Sequence, residues 1–275
     1  MRISGRLDRD PLPRDYHPHT MTDQLTLRME PPLPRLPAGL RPMLARPLPE
    51  PFDSDAHLFE PMWGGARALA LIGPAAVAGS GDVVLVAEDG TTGPAPIELS
   101  GLGARVHARS AVLDGEIVVV DESGRLDHEE LARRLQGQPG RPLSYLAFDL
   151  LHIDGRSLLN LALDKRRQLL RQVLRPGDEV VAVPAMASEG RALFEAVSAQ
   201  GLYGIRARQR ASPYLPGIRS RMWRSVAVDS AAELGAAGSV ANLAEDAEVE
   251  GGTDRRERVL ALFRRLPLDF DDEDG

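Results

Sequence analysis

Between residues 58 and 228 the apolar residues fall into short β-type runs, and these runs follow one another in pairs and triples before a helical period intervenes. Strict alternation of strand and helix would build a parallel sheet. Strands that arrive in succession instead build hairpins, which restricts the chain to an α+β architecture of antiparallel sheets flanked by helices. The expected strands are 58–63, 67–72, 82–87, 111–120, 143–150, 204–208 and 222–228, and the expected helices are 127–136, 164–174 and 189–200. In the second helix Leu163, Arg166, Arg167, Leu169, Leu170 and Val173 give one apolar and one basic face, as in a helix packed on a sheet.

The flanks read differently. Residues 1–40 are rich in proline and charge, with no sustained apolar period, so disorder is expected there; Met21 is an equal candidate for the initiating residue. Residues 41–228 form the body. Residues 229–275 turn to Ala, Gly, Glu and Asp, a linker and tail. Within them a short helix is expected near 253–266, with Thr253 as N-cap, Asp254 in its first turn, and Val259, Leu260 and Phe263 on one side. That helix and the closing DFDDEDG are the natural candidates for a contact with a protein partner.

Charge follows the same division. The net charge is -7, yet the segment from Asp229 onward holds thirteen acidic residues against five arginines, leaving +1 for residues 1–228. The body is close to neutral, neither the basic surface that drives phosphate affinity nor one that forbids it. No apolar run approaches the roughly 18 residues of a membrane span, and the opening MRISGRLDRD lacks the apolar stretch of a secretion signal, so no membrane association and a cytoplasmic location are expected. With no cysteine, disulfides, thiolate metal sites and cysteine nucleophiles are excluded. The His17–His19 pair sits in the Pro-rich flank, where a solvated tail is the simpler reading, and no metal site is expected. Lys165 is the one lysine in the chain.

Five segments carry a recognisable order and spacing: Pro42-Met43-Leu44-Ala45, FEPMWGGARALA (59–70), LDGEIVVVD (113–121), YLAFDLLHIDG (145–155) and QGLYGIRARQRASPYLPGIRSRMW (200–223). Together they resemble the adenylation domain of bacterial ATP-dependent DNA ligases of the end-joining type. The resemblance implies an ATP-grasp-like nucleotidyltransferase fold. It also implies a chemistry in which a lysine amine attacks the α-phosphate of ATP, carries AMP as a phosphoramidate and passes it to a DNA 5′-phosphate. Other cations and a divalent metal neutralise the phosphate charge meanwhile.

Against that pattern the nucleophile position holds Met62, whose thioether has no proton to lose, so no catalytic residue is expected to be intact. The acid of the same motif is Gly64, and the usual Ser-Arg-Asn-Gly is Ala87-Glu88-Asp89-Gly90. The later acidic position is Tyr203, the lysine after it is Arg208, and the final lysine pair is Ser225 and Ala227. Arginine retains a charge, although its planar fork does not replace an ammonium. The oligonucleotide-binding barrel that follows the last motif in such ligases does not fit the composition after Trp223, so none is expected.

A nucleotide-facing subset remains by resemblance: Glu60 toward the adenine amino group, Arg67 near ribose and phosphate, Glu116 beside ribose and metal, Phe148 stacking on adenine, and Arg208 as a phosphate contact. Each has a plainer reading. Phe148 suits an apolar core, Asp114-Gly115 suits a turn or bulge, Glu60 and Arg67 suit a cross-hairpin pair, and Trp63 and Trp223 suit core anchors. Lys165 lies on a helix start where a basic face is ordinary, and a role as surrogate nucleophile is disfavoured. The expectation is a ligase-family protein without catalysis that binds at most ATP or AMP, with Mg2+ only if the nucleotide site is kept, and DNA with weakened affinity. An active ligase using a non-standard nucleophile and a non-catalytic scaffold are the alternatives.

Overall fold

The computed structural model describes residues 33, 35–73, 82–228 and 255–268. Two twisted sheets carry the motifs. The first has five strands in the order β1-β12-β11-β2-β10: β1 (Leu44–Pro47), β2 (Ser54–Met62), β10 (Met186–Ser188), β11 (Gly204–Gln209) and β12 (Arg219–Ala227). The second has seven: β3 (Ala66–Ile72), β4 (Val83–Ala87), β5 (Thr92–Pro94), β6 (Ala111–Val119), β7 (Leu143–Ile153), β8 (Arg156–Ser157) and β9 (Val180–Ala182). They run β5-β4-β3-β6-β7-β8, with β9 also paired to β7. The pairings are antiparallel except β1 with β12 and β7 with β9, as the succession of strands without intervening helices requires.

The centre of the second sheet is β6, LDGEIVV and its flanks, buried along its whole length. A strand covered on both faces reads as a continuous apolar run rather than an alternation. The two short turns α1 (Leu102–Arg105) and α2 (His128–Arg134) and the longer α3 (Leu163–Val173) pack against this sheet, while α4 (Gly190–Ala199) covers the first. The α2 N-terminus is held by Asp127, whose side chain accepts the Glu130 backbone N–H. The α3 reading needs a correction at its basic face: Arg166 is 0 % and Arg167 5 % exposed, so both point inward beside Leu163 and Leu170, and Lys165 takes the solvent side.

The segment expected to be helical near 253–266 contains α5 (Arg255–Arg264). Its Val259, Leu262 and Phe263 are buried with Trp63, Val118 and Val120, and the Phe263 ring meets Trp63 edge-on at 5.1 Å. Phe263 was expected to be available to a partner; it is part of this chain's own core instead. Arg255 reinforces the docking by donating to the carbonyls of Asp178 and Leu143 at 2.6 and 3.0 Å. The Pro-rich segment expected to be disordered (apart from residues 33 and 35–40), the 229–254 linker and the acidic tail from Asp269 lie outside the described residues. Among the described residues no helix is long and apolar enough to cross a membrane.

Candidate functional site

Residues 60–67 pass from one sheet to the other, so the resemblance motif forms the hinge between them. Along β2 and β11 the pleat sorts the side chains. Phe59, Ile205 and Ala207 join the apolar layer with Leu193 and Val197 of α4, while Glu60 and Met62 lie opposite Arg206 and Gly204 across the ladder. Met62 ends β2, and its carbonyl accepts the Tyr203 N–H at 3.2 Å. At the turn that follows, Gly64 adopts φ +72°, and a Cβ there would stand 2.3 Å from Tyr203 Cε2. Tyr203 in turn lies edge-on to His128 at 4.9 Å.

Beyond the turn, the positions singled out by sequence converge on one ring. Phe148, fully buried on β7, has three guanidiniums over it, those of Arg67, Arg206 and Arg208 at 5.0, 5.6 and 4.9 Å from its centroid. Arg67 forms a two-point pair with Asp114 at 2.7 Å for each bond, and Tyr214 donates to the same carboxylate at 3.0 Å. Arg206 pairs with Glu116 at 3.1 Å. Glu60 is held by Arg167 from α3 and stands 3.1 Å from Arg208. Arg166 forms a two-point pair with Asp149 and also donates to the Ser212 carbonyl at 3.0 Å. The cross-hairpin reading of Glu60 with Arg67 is therefore corrected: they sit in different sheets with different partners.

Charge does not balance in this buried group. Arg67, Arg166, Arg167, Arg206 and Arg208 face Glu60, Asp114, Glu116 and Asp149, five cations against four carboxylates. Four arginines each hold a carboxylate. Arg208 shares Glu60 without hydrogen-bond geometry, and none of its three nitrogens has a hydrogen-bond partner among the described residues. Its guanidinium lies instead between Phe148 and the Trp223 ring, 4.5 Å from the latter. Burial with so little compensation pushes its pKa down to about 10, against the opposing pull of Glu60. Burial likewise holds the Asp149 carboxyl above its usual range despite Arg166.

The remaining motif positions are peripheral to this cluster or structural. Ala87-Glu88-Asp89-Gly90 makes the tight β4–β5 turn, with Gly90 N–H on the Ala87 carbonyl and Thr91 N–H on Asp89. Asp114-Gly115 marks a register shift between β6 and β7, as the bulge reading anticipated. Trp223 is a buried anchor that donates to Ser212 Oγ at 3.1 Å. Ser225 and Ala227 lie on β12 opposite Arg206 and Gly204. Lys165 is exposed, and among the described residues its amine meets Gln168.

Sequence reasoning missed Arg166, Arg167 and Arg206. Arg206 was legible in principle, since it lies directly across the ladder from Glu60. The inward turn of Arg166 and Arg167 had a signal only in their adjacency to Leu163 and Leu170 on one helical face. Two cavities, of about 450 Å³ beside His107 and Asp154 and about 350 Å³ beside Phe52 and Arg224, lie away from Phe148. Among the described residues no three or more His, Asp or Glu side chains are grouped to hold a metal.

Comparison with known proteins gives a consistent picture. Residues 99–226 match the profile of the ATP dependent DNA ligase domain. A DNA ligase of Methanothrix thermoacetophila is 33 % identical over 132 residues, 44 % of this chain and 24 % of that protein. The multifunctional non-homologous end joining protein LigD of Mycolicibacterium smegmatis is 29 % identical over 213 residues, 76 % of this chain and 26 % of that protein. The chain thus spans about a quarter of the length of these relatives. Among solved structures, a mycobacterial DNA ligase D complexed with ATP and MES aligns with TM-score 0.57 and 28 % identity over 68 % of this chain and 60 % of that one. The ligase domain of M. tuberculosis LigD aligns with TM-score 0.54 and 28 % identity over 68 % of this chain and 58 % of that one.

Proposed function

We propose that this chain is a non-sealing member of the ATP-dependent DNA ligase family, a ligase-fold domain that does not form the lysyl adenylate. The observation that carries this reading is the enclosure of Phe148 by Arg67, Arg206 and Arg208. A ring offers two faces to a base, and here three guanidiniums share them, while Glu60, Glu116 and Asp114 already hold arginines. The residues present do not fit a nucleotide seated in the manner the resemblance implies, nor a divalent metal between free carboxylates.

The thioether at Met62 adds a chemical reason. Transfer of AMP to the protein needs a nucleophile that becomes neutral by losing a proton and then forms a bond stable enough to isolate; a thioether does neither. The Lys165 amine is on the solvent side of α3, where it meets Gln168, and it does not replace the missing amine. We place the domain as a non-catalytic component of DNA end joining, working in the cytoplasm through contact with DNA or with other proteins, with the near-neutral body favouring weak, salt-sensitive DNA contact.

The test is incubation of the purified chain with ATP labelled on the α-phosphate and with magnesium or manganese, followed by a denaturing gel. No stable label is expected on the protein. Label that survives denaturation would overturn the reading.

A further inference from the structure

A second basic cluster lies on the opposite face of the five-stranded sheet from Arg206 and Arg208. In the ladder His57 stands opposite Gln209, and Arg224 stands opposite Ala207, which is itself paired with Phe59. Directly paired residues share a face, and alternation along β11 sets Ala207 and Gln209 against Arg206 and Arg208. His57, Gln209 and Arg224 line the cavity of about 350 Å³ together with Arg221, Phe52 and Leu48. That lining holds two guanidiniums and no carboxylate. The more exposed Arg191 and Arg210 nearby in the sequence each hold an aspartate. Arg224 is half-buried, yet neither it nor Arg221 has an ion pair or a side-chain hydrogen bond among the described residues. His57 Nδ1 is engaged with Ser54 Oγ at 2.9 Å, which leaves Nε2 over, and its ring meets Phe52 edge-on at 5.2 Å. Burial, and after it the Arg224 charge, hold His57 below its usual pKa, so the positive potential of the pocket is felt at the ring.

We propose that this pocket binds a phosphate monoester that carries a small apolar group. Two guanidiniums without a carboxylate call for two negative charges, and a monocarboxylate would leave one of them uncompensated. Guanidiniums offer only donors, in a planar fork that matches the edge of a phosphate, so the ligand presents several oxygens. Phe52 and Leu48 give the pocket an apolar wall, and its volume falls in the range of small organic ligands rather than of a bare ion. The apolar group lies against that wall while the phosphate faces Arg221 and Arg224. Such a monoester comes either from a free small molecule or from a phosphorylated side chain of another protein. The site shares no residue with the cluster around Phe148, so it stands or falls independently of the non-sealing reading.

Calorimetric titration of the full chain with phenyl phosphate tests it, at a pH of about 7.5 where a phosphate monoester carries close to two charges. Inorganic phosphate, benzoate and benzyl alcohol are the further arms. Phenyl phosphate is expected to bind at one site. Each of the other three should bind at least about tenfold more weakly, since each lacks either the apolar group or the full charge. The His57 ring signal in proton NMR, assigned by its loss in His57→Gln, should move saturably with phenyl phosphate. Arg224→Met should weaken binding at least about tenfold, and Arg221→Met, at an exposed position, serves if that variant does not fold. Arg156→Met, exposed on β8 of the other sheet, should leave binding unchanged. N-acetyl phosphotyrosine amide separates the two sources. Binding as tight as that of phenyl phosphate assigns the pocket to a phosphorylated side chain, and binding at least about tenfold weaker assigns it to a free small molecule. Absence of phenyl phosphate binding, inorganic phosphate binding equally tightly, binding unaltered in both arginine variants, or a His57 signal that does not move would each overturn the site.

Discussion

Gly64 and Tyr203 are fitted to one another: the tyrosine ring occupies the volume into which any side chain at position 64 would project, with 2.3 Å between the built Cβ and Tyr203 Cε2. By resemblance these are two positions where an acid is expected, and their departures interlock. Gly64→Asp should therefore cost about 2–4 kcal/mol, from overpacking and from a side chain in the left-handed region. In a Tyr203→Glu background the same change should cost clearly less, because the ring is gone. Urea midpoints for the two single variants and the double variant measure this coupling; strict additivity would show that the pair is not a unit.

The same fit bears on restoring the nucleophile. Met62→Lys alone is expected to leave the chain unlabelled by ATP, because the slot around Phe148 stays closed and Ser225 and Ala227 supply no cation. Label appearing in that single variant would show that Gly64, Tyr203, Ser225 and Ala227 matter little.

Removing Glu60 should damage stability more than most core substitutions. Glu60→Gln leaves Arg167 and Arg208 buried with no carboxylate between them, and breaking a buried pair on one side costs about 3–5 kcal/mol. Equilibrium unfolding in urea checks this, and a loss under about 1 kcal/mol would mean the cluster is more hydrated than its burial suggests.

Stability should fall on mild acidification. His57, His128 and His152 all have pKa values lowered from the ordinary 6.5, chiefly by burial. A histidine whose folded pKa is depressed binds protons more readily when unfolded, so its contribution is present above about 6.5 and is lost as pH falls through the lower folded value. Urea midpoints between pH 7.5 and 5.5 should decline, and the decline should be shallower in His128→Gln; an unchanged slope in that variant would remove His128 from the account.

Much of this architecture is legible in the residues. The seven expected strands all appear, because β6 and β7 are long apolar runs and β2, β11 and β12 are bounded by Gly and Pro. The strands not anticipated, β1, β5, β8, β9 and β10, have four residues or fewer, too short for a period to register. At the site, the sequence identified Glu60, Arg67, Glu116, Phe148 and Arg208 as a set, and the fold brings them to one ring. It did not reveal that arginines from α3 and β11 would enter the same space, since charge normally argues for the surface and only the tertiary arrangement supplies the carboxylates that make burial tolerable.

The contact between Trp63 and Phe263 gives a further prediction. Phe263→Ala should cost about 3–5 kcal/mol by leaving a cavity beside a fully buried tryptophan. The red shift of tryptophan fluorescence, from a chain with two such residues, reports whether Trp63 becomes wet.

That contact also sets an order of events during synthesis. Positions 63 and 263 belong to opposite ends of the described chain, and at roughly 5–20 residues per second the ribosome needs on the order of ten to forty seconds to make the stretch between them. For that interval the hinge carrying Met62 leaves the ribosome with Trp63 uncovered, a sticky nascent surface that chaperones or a neighbouring chain could seize. Among the described helices α5 leaves the ribosome last, and its docking is what covers Trp63 with Phe263.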